Sequence, residues 1–149
     1  MTKNQLTRLT IEIIERGFPE LSNIELTAVF RKSKDYHFCW GLLSPEWFFI
    51  EASTRLKQAP LIAVSGGLAH ELVHITNCYK NIAFDNIADL IYKISRRSYI
   101  WNERRTDMEA VKRGFGKELV AFSEWAYTGK PENPERGLSM GELRSIVEA

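Results

Sequence analysis

The chain has 149 residues, of which 44% are hydrophobic and 26% charged, and its formal net charge is +1. That length suits one domain with a real core, and the near-neutral balance argues against a membrane or nucleic-acid partner. Two cysteines, Cys39 and Cys78, do not make a disulfide framework.

No charged-then-apolar leader opens the chain, and no apolar run is long enough to span a bilayer. A soluble, cytoplasmic protein is therefore expected. Asn4 to Arg16 reads as an amphipathic helix with Leu6, Leu9 and Ile13 inward, ended by Gly17 and Phe18-Pro19. Ile24, Leu26, Ala28 and Phe30 alternate with more polar neighbours. So do Tyr36, Phe38, Trp40 and Leu42, after a polar turn at Lys32–Asp35. The two runs predict an antiparallel hairpin. Trp47–Ala52, beyond the Ser44-Pro45-Glu46 turn, predicts a third strand, apolar on both faces until Glu51. His37 and Cys39 share a strand face, but no third ligand lies nearby, and a buried Cys in a strand is usually inert packing.

Ser53–Ala59 reads as either an extension of the strand or a loop before Pro60. Pro60–Lys80 then has helical periodicity, with Leu61, Val64, Leu68, Leu72, Ile75 and Tyr79 on one face. His70-Glu71-Leu72-Val73-His74 is an H-E-x-x-H motif, and its two histidines, four apart, sit together on another face. Two imidazoles one turn apart can bind one Zn²⁺, and the glutamate between them can act on a zinc-bound water. Gly66-Gly67 precedes the motif at a cost of roughly 1 kcal/mol per glycine, which calls for close packing or a helix break. Cys78 lies one turn past His74. However, three ligands along one straight helix would span about 12 Å, too far to share an ion. Asn77 and Lys80 stand where a metzincin needs Gly and His, which excludes that pattern.

Asp85 starts a predicted helix with Ile87, Leu90, Ile91 and Ile94 inward, followed by the basic Lys93, Arg96 and Arg97. Ser98–Arg113 predicts a further helix with Ile100, Glu103, Asp107, Ala110 and Gly114 in one stripe. Unpaired carboxylates facing a core are costly, so a cation and an imidazole would suit Glu103 and Asp107. Gly114 and Gly116 are expected to end this helix. Lys117–Tyr127 is the last large helix, with Leu119, Phe122 and Ala126 inward. Thr128–Gly137 is a polar loop. Ser139-Met140-Gly141-Glu142 has capping-box spacing and starts a short helix to Ala149.

His70, Glu71 and His74 followed by Asn102, Glu103 and Asp107 resemble the gluzincins, zinc peptidases that pair H-E-x-x-H with a downstream N-E-x-x-x-D. The short chain looks like their single-domain minimal members, the minigluzincins. The match covers roughly residues 60–114. The resemblance implies a zincin-like α+β domain over residues 1–149, with a small antiparallel or mixed sheet packed on helices. It implies Zn²⁺ held by His70, His74 and Glu103, with Asp107 supporting a ligand histidine and Asn102 helping to position its helix. Glu71 would be the general base for hydrolysis of a peptide or protein substrate. The resemblance also implies a sheet edge for an extended substrate, expected at Glu51–Lys57. Tyr92, Tyr99, Tyr127 and His37 are all candidates for the oxyanion stabiliser.

Two alternatives stay open. One is a latent or inactive zinc-binding interaction protein, its cleft covered by Gly129–Ala149, although packing of that segment on the domain flank is the simpler expectation. The other is a DNA-associated protease using Lys93, Arg96, Arg97, Arg104, Arg105, Lys112 and Arg113. The near-zero net charge ranks it lowest. The sequence sets no oligomeric state.

Overall fold

The computed structural model of the chain describes residues 1–33, 37–44, 46–81 and 95–149. Helix α1 (Lys3–Gly17) opens on a capping box formed by Thr2 and Gln5. It buries Leu6, Ile13 and Ile14 and packs Leu9 at the margin of the core. Pro19 disfavours helical geometry at the preceding residue, and the helix stops there, with Phe18 at φ −136° and ψ 52°.

Strands β1 (Glu25–Arg31), β2 (Phe38–Ser44) and β3 (Trp47–Ser53) form a mixed sheet in the order β1-β3-β2. β3 runs parallel to β1 and antiparallel to β2. The hairpin expected between the first two strands is therefore corrected: β2 pairs with β3, and β3 separates β1 from β2. The reason lies in burial. β3 sends Phe48, Ile50 and Ala52 into the core and keeps Phe49 and Glu51 half-buried on its other face. A strand covered on both faces belongs in the middle of a sheet. Ala28 and Trp40 both register with Ile50, which aligns one apolar layer across all three strands.

Glu51–Lys57 is also not a free edge. Glu51 lies between Val29 and Cys39, and the Ser53 N–H donates to the His37 carbonyl at 2.7 Å. The chain then turns through a short 3-10 helix, Thr54–Gln58, anchored by buried Leu56. The sheet edge nearest the helices of the site is β2 instead.

Helix α2 (Leu61–Asn81) is the centre of the molecule. Ala63, Val64, Leu68, Ala69, Leu72, Val73 and Ile75 are all buried, so it is covered on nearly every side rather than along one stripe. Leu61, expected on the buried stripe, is instead 62% exposed, in a first turn where Ile62 is exposed as well. The helix runs unbroken through Gly66-Gly67. A Cβ on Gly66 would collide with the Glu118 carbonyl and lie 2.8 Å from the Leu119 nitrogen. One on Gly67 would collide with the Phe38 ring and lie 3.1 Å from that of Phe122. Gly66 thus lets α2 meet the backbone of a neighbouring helix, and Gly67 makes room for the Phe38 ring of β2.

Helix α3 (Arg96–Ala110) starts two residues earlier than expected, because Ser95 caps it by accepting from the Ser98 N–H. A π-helical turn, Val111–Phe115, follows, with Gly114 at φ +87°. Gly116 does not end that helix: it is buried at the start of α4 (Gly116–Ala126), where a Cβ would meet Val147 at 2.5 Å. Helix α5 (Met140–Glu148) begins on the expected Ser139–Glu142 capping box. It packs on α4 and is tied to it by Arg144–Glu124 at 2.6 Å. The predicted helix from Asp85, with Ile87, Leu90, Ile91 and Ile94, lies outside the described residues, as do Tyr92 and Lys93. Among the described residues, no helix is long and apolar enough to cross a membrane.

Candidate metal centre

A cavity of about 440 Å³ opens between β2, α2, α3 and α4. His70, Glu71 and His74 enter it from α2, and Glu103 and Asp107 from α3. On each helix the reason is spacing: residues four apart lie one turn above each other, so each helix presents its pair on one face.

The donor atoms converge closely. His70 Nε2 and His74 Nε2 are 3.1 Å apart, and each lies 3.4 Å from a Glu103 oxygen. One ligand atom from each of the three residues falls within 4.8 Å of the others. Ligands at the usual zinc distances in a tetrahedron stand about 3.3 Å apart; the His70–His74 separation is close to that, and Glu103 meets the two imidazoles with one oxygen each, so the three side chains can close on one ion. The tautomers point the same way. His70 Nδ1 lies 2.8 Å from Asp107 Oδ1. A carboxylate only accepts there, so Nδ1 carries the hydrogen and, in the neutral ring, Nε2 presents its lone pair. Two imidazole nitrogens and a carboxylate facing one point need a cation or a proton between them. The donor set fits zinc, and among the described residues it is the one such cluster.

The electrostatics without a metal follow from this crowding. Burial pulls His70 towards neutrality, but its contacts with Asp107 and Glu103 outweigh that and hold its pKa well above the ordinary value. Burial would raise Glu103, but hydrogen bonds to both histidines hold it far below the usual carboxylate range. Glu71 is pushed up, first by burial; the two imidazoles oppose the shift, and Glu103 and Asp107 add to it. A carboxylate displaced towards neutral pH is better matched to taking a proton from water.

Of the other expected residues, Tyr99, Tyr127 and His37 line the cavity, whereas Asn102 does not. Burial and then Glu103 raise the Tyr99 phenol, which keeps its hydroxyl as a donor at neutral pH. His37 is held neutral by burial, then by Arg55, Arg136 and Lys130. Its ring meets Phe122 and Trp125 edge-on at 5.9 and 5.1 Å. Cys39 does not join His37 in a ligand set: burial, Glu71 and Glu51 keep its thiol protonated, and it donates to the Trp40 carbonyl at 3.7 Å. Cys78 packs at the margin of the core and is not part of the cavity wall.

Sequence reasoning brought Gly129–Ala149 to the cleft only in the latent alternative and missed its contact with Asp107. Arg136 and Leu138 line the cavity, and the Leu138 N–H donates to Asp107 Oδ2 at 2.7 Å. The glycine at 137 is the one signal that could have found it, since a glycine in a polar loop can mark close backbone approach; the structure holds it at φ +125°. Comparison with family models, curated proteins and solved structures finds no match to the chain.

Proposed function

We propose that the chain is a zinc-dependent peptidase of the gluzincin type, with His70, His74 and Glu103 as metal ligands. The observation that carries this reading is the cluster of donor atoms, the two Nε2 atoms 3.1 Å apart and each 3.4 Å from one oxygen of Glu103, beside the half-buried Glu71 in the same cavity. Bound there, zinc would lower the pKa of a coordinated water towards ~7 and polarise a substrate carbonyl. Glu71 takes the proton of the attacking water and returns it to the leaving amine. Asp107 fixes the tautomer of His70 and raises its basicity. Tyr99 and Tyr127 offer hydroxyls at the cavity wall, where charge develops on the carbonyl oxygen. An extended peptide can pair with the outer edge of β2, whose Phe38, Cys39 and Trp40 border the same cavity.

The test is metal content followed by turnover. Wild-type protein is expected to carry about one zinc per chain, and Glu103→Ala far less. Glu71→Gln is expected to keep the metal and to lose cleavage of a peptide library by at least about 10²-fold. Equal zinc in wild type and Glu103→Ala would remove Glu103 as a ligand. No zinc in either, after reconstitution, would overturn the reading.

A latent form is the second reading, favoured by Arg136 and Leu138 at the cavity wall. It predicts zinc without turnover, and activation on trimming after Gly129. The DNA-associated reading ranks below both. Arg96 pairs with Glu135, Arg104 with Glu142, and Arg113 with Glu20 and Glu109, so much of the basic patch is already neutralised within the chain.

A further inference from the structure

The Gly137-Leu138 strap, whose Leu138 lines the cavity, faces His70 across Asp107. Asp107 sits between them, 6% exposed, with one oxygen on His70 Nδ1 at 2.8 Å and the other on the Leu138 N–H at 2.7 Å. A carboxylate gripped on both oxygens cannot rotate about its terminal bond without breaking one contact. Gly137 makes the approach possible: a Cβ there would collide with Asp107 Oδ2 and lie 3.1 Å from Cγ. The strap is itself clamped to α3. Arg104 holds the Glu142 carboxylate with two bonds, at 3.1 and 2.5 Å, and reaches the Gly137 carbonyl at 3.5 Å. Glu142 in turn accepts from the Ser139 N–H at 2.9 Å, which fixes the start of α5 just after the strap.

We infer that Gly137 and the Leu138 N–H are positioning elements of the metal centre: they hold Asp107 in the rotamer that aims His70 Nε2 at the ion, and so set the affinity for zinc. This rests on the reading of His70, His74 and Glu103 as ligands. It assigns the C-terminal segment a role opposite to that of a latency lid. The strap supports the site through Asp107, and its loss weakens metal binding rather than opening a cleft. Outer contacts of this kind typically change metal affinity by about 10–100-fold when removed.

The experiment measures zinc affinity by chelator competition in the full chain for wild type, Gly137→Ala, Asp107→Ala and the double variant. Gly137→Ala is expected to bind zinc about tenfold more weakly. In the Asp107→Ala background the same substitution is expected to change nothing further, because the carboxylate it displaces is gone. Backbone strain at Gly137 alone would persist in that background, so an undiminished effect there overturns the inference. So does wild-type affinity in Gly137→Ala. Should Gly137→Ala fail to fold, Arg104→Gln loosens the strap from the surface. A drop of about threefold supports the inference, and unchanged affinity refutes it. A wild-type chain that binds no zinc would overturn the ligand assignment itself, a separate result from wild-type zinc binding that is indifferent to Gly137.

Discussion

The two helices that supply the candidate metal ligands are held in different ways. α2 is surrounded by apolar side chains, and its Gly66-Gly67 step is wedged against α4 and β2. α3 is open on one side, where Trp101 is exposed, and its two inward carboxylates are tied through polar contacts. Packing fixes His70 and His74 because a helix buried all round has almost no room to turn. Glu103 and Asp107 depend on hydrogen bonds, which are directional and individually modest. The site therefore joins a rigid arm to an adjustable one, and perturbations of the two arms should differ in kind as well as size.

The largest expected effect is on the rigid arm. Gly66→Ala places a methyl group against the Glu118 carbonyl and the Leu119 nitrogen, both backbone atoms that cannot swing away. A stability loss of about 3 kcal/mol is expected in denaturant unfolding. A loss under about 0.5 kcal/mol would mean that α2 and α4 can separate, and the contrast between the arms would fail.

The next concerns Glu20, which joins the far ends of both arms. It accepts from Arg113 after α3 at 2.8 Å and from Lys80 near the end of α2 at 3.1 Å. Burial would raise its pKa, but those contacts bring it down to about 2 from the ordinary 4.5. A depressed carboxylate stabilises the fold fully above its unfolded pKa and loses that contribution as pH falls through its folded pKa. Glu20→Gln is thus expected to cost about 1–2 kcal/mol at pH 7, with the gap to wild type closing between pH 4.5 and 2. Unfolding measured across that range checks the sign; a gap that widens on acidification would refute it.

The smallest effect belongs to the open face of α3. Trp101 is 57% exposed, with the Arg105 guanidinium 5.4 Å from its ring centroid. Trp101→Ala is expected to change stability by less than about 0.5–1 kcal/mol and zinc affinity not at all. A measurable loss of zinc would show that this face is coupled to the carboxylates, and that α3 is less adjustable than its contacts imply.

The same contrast explains what could be read from the sequence. The pairs His70/His74 and Glu103/Asp107 are each four residues apart, and helical spacing alone puts each pair on one face. The Ser139–Glu142 capping box is equally local, and the structure contains it. Strand order was not local. β1 and β2 alternate in much the same way, so pattern alone did not say whether they pair with each other or flank β3; the two-sided burial of β3 accounts for its central place. The meaning of Gly66-Gly67 needed the positions of Phe38 and Glu118, and that of Gly137 needed Asp107, 31 residues away from Leu138 in the chain. Contacts between distant segments leave little trace in composition, and a glycine marks only that something comes close.

The strap over Asp107 has a thermodynamic counterpart. Coupling between two sites is reciprocal, so a segment that tightens the hold on an ion is itself tightened when the ion binds. The Leu138 amide proton reports this directly, since it leaves for solvent only when its bond to Asp107 Oδ2 opens. Metal loading at α2 and α3 would then slow hydrogen exchange at Leu138 and through the first turn of α5. The far end of the chain would be a quiet gauge of how full the centre is.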